Sequence, residues 1–267
     1  MPVFHLILLA IIQGITEFLP ISSSGHLILL PGLTGMADQG QVLDVAVHVG
    51  TLVAVVLFFR SEVKLALVGT GQLLLGRIDT SPARLAVSLV VGTVPVVVAG
   101  FILHATGLDH MMRSIAVIGW TMLIFGIVLY WADQKGAETL SLDDWTWKHA
   151  IVIGLWQAVA LIPGTSRSGI TITGGRLLGY GREQAARISM LMSIPTIVAS
   201  GVVLGADIVS EGDFVLAQEA AIAAAFACAA ALLALWAMMR LLRTVSFTPY
   251  VIYRVLLGLL LLWVAYA

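Results

Sequence analysis

Apolar residues come in long blocks along this chain, and the blocks alternate with short knots of proline, glycine, serine and charge. At about 1.5 Å per residue, a helix must be about 20 residues long to cross about 30 Å of hydrocarbon. Six blocks meet or approach that length: residues 42–59, 85–103, 112–131, 188–205, 218–239 and 249–266. Two others are too short. Residues 3–12 run on to Pro20 and a Ser-Ser-Ser-Gly stretch before HLILLPGL leads away again, and residues 150–163 end in PGTSRSG. Backbone broken at membrane depth is tolerated only where it is buried in protein or lines a wet cavity, so each short block predicts a re-entrant segment beside a cavity. The expected fold class is all-α, a polytopic membrane protein with six transmembrane helices plus two re-entrant helix-loop-helix segments.

Composition supports this reading. Of 267 residues, 60% are hydrophobic and 11% charged, and the mean hydropathy is +1.02, too apolar for a surface covered by water. A single transmembrane domain, 1–267, is expected, and a net charge of -1 gives no sign of nucleic-acid binding. Cys228, the lone cysteine, excludes a disulfide framework. MPVFHLILL lacks a cationic start, so no removable signal peptide is expected. Arg60, Lys64, Arg77 and Arg84 fill one loop, and Arg240, Arg243 and Arg254 flank another, which assigns both to the cytoplasm. The loop of Asp207, Glu211 and Asp213 has no lysine or arginine and suits the outside, so both termini face out. Trp145, Trp147, Trp156 and Trp263 read as interface anchors.

The halves, about 1–131 and 149–267, resemble each other. Gln13, Ser22, Ser24 and Gly25 recur at one constant spacing as Gln157, Ser166, Ser168 and Gly169. One residue out of that register, Thr51, Val53 and Ala54 recur as Thr196, Val198 and Ala199. Three crossings per half make the repeat inverted, so the two re-entrant segments enter from opposite sides and meet near the midplane. Inward-pointing helix ends there offer free N–H groups to an anion. Transporters share this architecture, so a carrier stands beside an enzyme as a reading.

The chemistry is concentrated at the two breaks. QGITEFLPISSSGH, residues 13–26, places a carboxylate, three consecutive serines and an imidazole within a few turns, the side chains that acyl or phosphoryl transfer uses. Glu17 at mid-membrane costs about 2.5 to 3.5 kcal/mol on insertion scales, which makes it a functional candidate. Arg167 has a similar cost, and its planar fork suits a phosphate. Ser22, Ser23, Ser24, Ser166 and Ser168 are individually weak signals, because membrane serines often cap broken helices, and gain weight from their clustering. His26, four residues past Ser22, can reach the same cavity. Asp44 and His48 share one helix face, as a supporting pair or a structural one. Together these groups suggest hydrolysis of a phosphate ester or anhydride on a membrane-borne substrate.

GITEFLPISSSGH followed by PGTSRSGITITGG resembles the two signature regions of the undecaprenyl pyrophosphate phosphatase family, the bacitracin-resistance type of integral membrane enzyme. The likeness extends through LDVAVHVGTLVAVV and SFTPYVIYR. It implies dephosphorylation of a C55 polyprenyl diphosphate to the monophosphate at the outer face of the bacterial inner membrane. That reaction recycles the carrier lipid for cell-wall synthesis and confers bacitracin resistance. It also implies a divalent cation, Mg²⁺ or Ca²⁺. By position, Glu17, Ser23, His26 and Arg167 match the catalytic residues, and Ser166, Ser168 and Thr171 the second phosphate-contacting region. Ser22, Ser24 and Gln13 complete the expected substrate contacts. Gln13 departs from the family's usual first glutamate, leaving Glu17 and Gln13 as the metal candidates. The nucleophile is Ser23 or, in the close variant, His26. Expected partners are the lipid and the membrane, with no nucleic acid; a homodimer is compatible with the sequence, and a lipid-phosphate flippase is the alternative function.

Overall fold

The computed structural model describes residues 2–27, 40–107, 112, 114–208 and 214–267. Among them the regular elements are helices and no strand forms; one isolated bridge joins Leu140 to Tyr180. In order these are α1 Val3–Phe18, α2 Ser23–Leu27, α3 Gly40–Phe58, α4 Arg60–Leu74, α5 Ser81–Thr106, α6 Ile115–Lys135, a short 3-10 turn Leu142–Asp144, α7 Trp147–Val159, α8 Arg167–Leu177, α9 Arg182–Ile208, α10 Phe214–Leu241 and α11 Thr248–Tyr266. Five helices are long and apolar enough to cross a membrane, in α5, α6, α9, α10 and α11. This is an all-α polytopic membrane protein.

The sixth crossing differs from expectation. Block 42–59 becomes α3, and at Phe59 the chain turns by 91° into α4, a helix where only a charged loop was expected. Phe59 leaves helical geometry at φ -102, ψ 33 without any proline to announce it, and its ring is buried at 3% exposure. Residues 28–33 of the HLILLPGL exit after the first break, and Glu211 and Asp213 of the acidic loop, lie outside the described residues.

Local chemistry sets several helix starts. Thr80, Ser114 and Thr146 each accept a backbone N–H in the first turn of α5, α6 and α7, at 3.2, 3.2 and 3.4 Å, satisfying a donor that would otherwise lack a partner. Helices then pack backbone to backbone where small residues face each other. A Cβ on Gly50 of α3 would lie 2.2 Å from the Ala224 carbonyl of α10, and one on Gly154 of α7 would lie 2.4 Å from the Gly92 carbonyl of α5. The pattern is paired: α10 lies on α1 and α3, α5 lies on α7 and α9, and α6 packs on α11.

Asp133, 1% exposed at the end of α6, ties the helix ends together. Its Oδ1 lies 3.3 Å from Arg176 Nε and 2.7 Å from Arg182 Nε, and its Oδ2 accepts from the Phe247 N–H at 3.1 Å. One carboxylate thereby joins α6, α8, α9 and the start of α11. Trp145, expected at an interface, is 5% exposed in the core, whereas Trp147 and Trp263 are exposed.

Candidate active site

Each short block ends in an unusual backbone conformation. Ser22 and Ser166 have φ of 72 and 70, the positive-φ residues other than glycine among those described, where an L side chain is strained by roughly 1 to 2 kcal/mol. They occupy matching positions before α2 and α8. In each break the first hydroxyl meets the one two residues on, Ser22 to Ser24 at 3.0 Å and Ser166 to Ser168 at 3.2 Å. The Ser166 hydroxyl also caps α8 by accepting from the Gly169 N–H at 3.1 Å.

The two breaks bind each other. Ser24 Oγ accepts from the Gly164 N–H at 3.1 Å, and Ser168 Oγ donates to the Leu19 carbonyl at 2.9 Å. Behind them Arg254, fully buried in α11, donates to main-chain carbonyls on both sides. Its nearest acceptors are Thr165 at 2.9 Å, Gly164 at 3.2 Å, Met122 at 3.3 Å and Pro20 at 3.5 Å. The loop-charge pattern assigns Arg254 to a cytoplasmic flank, whereas in the structure it is a buried pin between the breaks. Charge pattern alone could not separate the two, although an arginine after an apolar helix start was a signal.

Glu17 sits where the elements converge. Its Oε1 accepts from Arg167 Nη2 at 2.6 Å. Its Oε2 accepts from Gln13 Nε2 at 2.8 Å and Ser23 Oγ at 3.3 Å, with His48 Nε2 at 3.7 Å. The side chains of Glu17 and Arg167 are 9% and 14% exposed, so the ion pair is largely desolvated and its loss of either partner is costly. Gln13 and Glu17 are neighbours because they stand one turn apart in α1. A charge from α8, an acid from α1 and a hydroxyl from the first break thus meet within hydrogen-bonding reach. A serine there can lose its proton to the carboxylate while the arginine faces an incoming anion.

Other expected residues stand further back. His26 Nδ1 lies 2.7 Å from the Ser22 carbonyl and its Nε2 lies 2.5 Å from the Tyr253 hydroxyl, with the two rings stacked. Both nitrogens are thereby taken, and neither reaches Glu17. Thr171 is 1% exposed, its hydroxyl engaged with the Arg167 and Ser168 carbonyls and with Ser189 Oγ at 2.6 Å. It braces α8 against α9.

A cavity of about 510 Å³ opens over Glu17 and Arg167 between α3 and α9. Asp44 and His48 join its polar floor, while its upper wall includes Val49, Val198 and Val202, which are 43%, 46% and 68% exposed. Apolar side chains on that rim suit a hydrocarbon surrounding.

Among the described residues, no three of His, Cys, Asp and Glu gather to hold a metal ion. The oxygen donors there include Glu17, already paired with Arg167, Oε1 of Gln13, buried without a partner, and Asp44 in the same cavity lining. Mg²⁺ and Ca²⁺ take six or more oxygens, so this donor set by itself does not cage either.

Helical membrane spans, two joined breaks, and an acid, a hydroxyl and a guanidinium beneath an apolar-rimmed cavity define the class: a polytopic membrane protein with a buried polar site. Residues 6–260 match the family described as bacitracin resistance protein BacA, and the chain belongs to that family. Relatives named undecaprenyl-diphosphatase include one from Dinoroseobacter shibae, 68% identical over 100% of both chains. One from Ruegeria pomeroyi is 66% identical over 100% of both. One from Chromohalobacter salexigens is 46% identical over 98% of each.

Proposed function

We propose that this chain removes the terminal phosphate of undecaprenyl (C55) diphosphate, giving the monophosphate, recycling the carrier lipid for cell-wall synthesis and conferring bacitracin resistance. The observation that carries the proposal is that Glu17 and Arg167 line a cavity with an apolar rim while Ser23 Oγ reaches Glu17 Oε2. Full-length relatives that bear the name of that activity support it.

In this mechanism Arg167 and the first N–H groups of α8 hold the diphosphate, and Ser23 Oγ attacks the terminal phosphorus while Glu17 takes its proton. The bond to the bridging oxygen breaks and the lipid monophosphate leaves with that electron pair. Water then displaces Oγ from phosphorus, one of its protons returning to Ser23 and its hydroxyl leaving on inorganic phosphate. Catalysis then rests mostly on positioning and charge stabilisation. His26 supports the first break through Ser22 and Tyr253. A cation, where one is used, arrives on the phosphates of the substrate, with Glu17 and Gln13 as its protein neighbours. The polyprenyl tail leaves past the valine rim into lipid. The two breaks form re-entrant segments of an inverted repeat, in keeping with the matching serines at positive φ and the paired packing of α1 on α10 and α7 on α5. The protein then lies in the bacterial inner membrane with the cavity opening to the periplasmic side.

The same paired arrangement favours a flippase as a second reading. Phosphate release from a polyprenyl diphosphate by purified protein in detergent decides between them, because a carrier releases none. In an active protein Glu17→Gln, Ser23→Ala and Arg167→Ala should each lower turnover by at least about 10². His26→Ala should lower it less. Full activity in any of the first three, with the protein folded, removes that residue from the mechanism.

A further inference from the structure

The break that carries Ser23 stands on the shorter helix. α2 has five residues where α8 has eleven, and a single turn does not hold its own conformation. The constant spacing between the breaks sets His26 against Ile170, which is 1% exposed. Where the second break sends an apolar side chain into the core, the first sends out an imidazole. Both nitrogens of that imidazole are engaged, and their partners fix the direction of each bond. The Ser22 carbonyl, 2.7 Å from Nδ1, can only accept, so Nδ1 carries the proton. Nε2 of the neutral ring then accepts from the Tyr253 O–H at 2.5 Å, with the rings parallel within 2°. A chain of donors thus runs from Tyr253 in α11 through His26 to Ser22, whose peptide unit leads into Ser23. The next residue of α11, Arg254, donates to the Pro20 carbonyl on the other side of Ser23. Two consecutive residues of one helix therefore hold the first break before and after its hydroxyl.

We propose that Tyr253 is a positioning residue for Ser23, acting through His26, a role that rests on the phosphatase reading above. It touches neither the cavity lining nor the reacting atoms. Its effect comes from the narrow margin at the hydroxyl: Ser23 Oγ lies 3.3 Å from Glu17 Oε2, beyond the usual 2.5 to 3.0 Å of an O–H···O bond. A small swing of α2 takes the hydroxyl out of reach. The break also has a reason to swing, because Ser22 sits at φ 72, where an L residue is strained. Holding the Ser22 carbonyl resists that relaxation. The bland alternative is an interface anchor, since Tyr253 is 43% exposed and tyrosines gather where hydrocarbon meets headgroups. An anchor's hydroxyl serves the membrane, and its removal would not reach the chemistry. A positioning hydroxyl is felt in turnover and only through His26.

The test compares the wild type with Tyr253→Phe, His26→Asn and the double variant. Tyr253→Phe keeps the stacked ring and removes only the hydroxyl. His26→Asn keeps an N–H that can donate to Ser22 and leaves Tyr253 without its acceptor. Phosphate release from a polyprenyl diphosphate gives kcat and KM, unfolding midpoints report stability, and the ¹⁵N signals of His26 in labelled protein report its ring. Tyr253→Phe should lower kcat about tenfold, short of the about 10² that a full ångström of misplacement is worth, with KM and the midpoint little changed. Its His26 Nε2 signal should move to that of an acceptor that has lost its donor. The double variant should be no slower than His26→Asn alone, because the hydroxyl acts only through the ring. A Tyr253→Phe protein with wild-type kcat overturns the inference. So does an Nε2 signal that the substitution leaves in place, or a double variant in which the two losses multiply. A wild type that releases no phosphate, while the Nε2 signal still moves in Tyr253→Phe, sinks the phosphatase reading instead, so the two failures are told apart.

Discussion

Replacing Arg254 tests how the two breaks are held. Three of its acceptors, the carbonyls of Pro20, Gly164 and Thr165, lie in the breaks themselves, where no helix supplies a partner. A buried acceptor left without a donor costs about 1 to 3 kcal/mol, so Arg254→Met, which strands all three, destabilises by about 3 to 9 kcal/mol. Removing the charge also ends the penalty of burying it, which puts the expectation near the lower end, about 3 kcal/mol. Arg254→Lys retains a cation but concentrates its donors at one point. It can serve Gly164 and Thr165 together and abandons Pro20 on the opposite break, for about 1 to 3 kcal/mol. That lysine variant should fold, yet its breaks are no longer clamped to each other. Ser23 follows one break and Arg167 the other, and a misplacement of about 1 Å is worth about 10² in rate. Unfolding in mixed micelles by added denaturing detergent reads the first effect, and phosphate release at saturating substrate reads the second. An Arg254→Met protein as stable and as active as the wild type would refute the reasoning, because the carbonyl contacts would then carry nothing.

Gln13→Glu sets a second carboxylate one turn from Glu17 and in contact with His48, and should lower the concentration of Mg²⁺ or Ca²⁺ needed for half-maximal activity without abolishing turnover. A metal titration that does not move separates position 13 from any cation. With Cys228 replaced by alanine, a cysteine at exposed Arg77 should resist an impermeant thiol reagent on intact cells and one at Gly212 should react; the reverse pattern turns the protein over.

The long blocks and the breaks were legible because each is a local signal. Helices form over every apolar block that lies among the described residues, and both breaks begin where proline and serine interrupt the pattern. Gln13 and Glu17 could be paired in advance because a helix fixes the spacing of residues one turn apart. Contacts across the fold were not legible. Nothing in the local sequence says that Arg254 lies between Pro20 and Gly164, since the rule that counts positive charge treats every arginine alike. His48 could be placed on a face with Asp44, but its approach to Gln13 depends on how α3 packs against α1. The turn at Phe59 escaped for another reason. α3 ends at a buried phenylalanine, and no breaker residue marks the place. His26 was legible as part of a motif dense with polar groups, but the contact of its ring with Tyr253, from the far end of the chain, was not.

The serines at positive φ show why the site needs two breaks. Glycine at position 22 or 166 would relieve about 1 to 2 kcal/mol of backbone strain. It would also remove the Ser166 cap on Gly169, which costs only about 0.3 kcal/mol when glycine takes the cap position, and the hydroxyl at Ser22 that meets Ser24. The strain outweighs the cap, so the conformation is not selected locally. What selects it is the other break: Gly164 donates to Ser24, Leu19 accepts from Ser168, and Arg254 spans the gap. Each break is therefore the template for its counterpart, and neither half alone would hold its serine or its arginine in place. Because Ser23 and Arg167 come from different halves, the geometry that joins them to Glu17 exists only when the halves close on each other. The strain at Ser22 and Ser166 is then a property of the closed pair, stored where the substrate phosphate is proposed to bind.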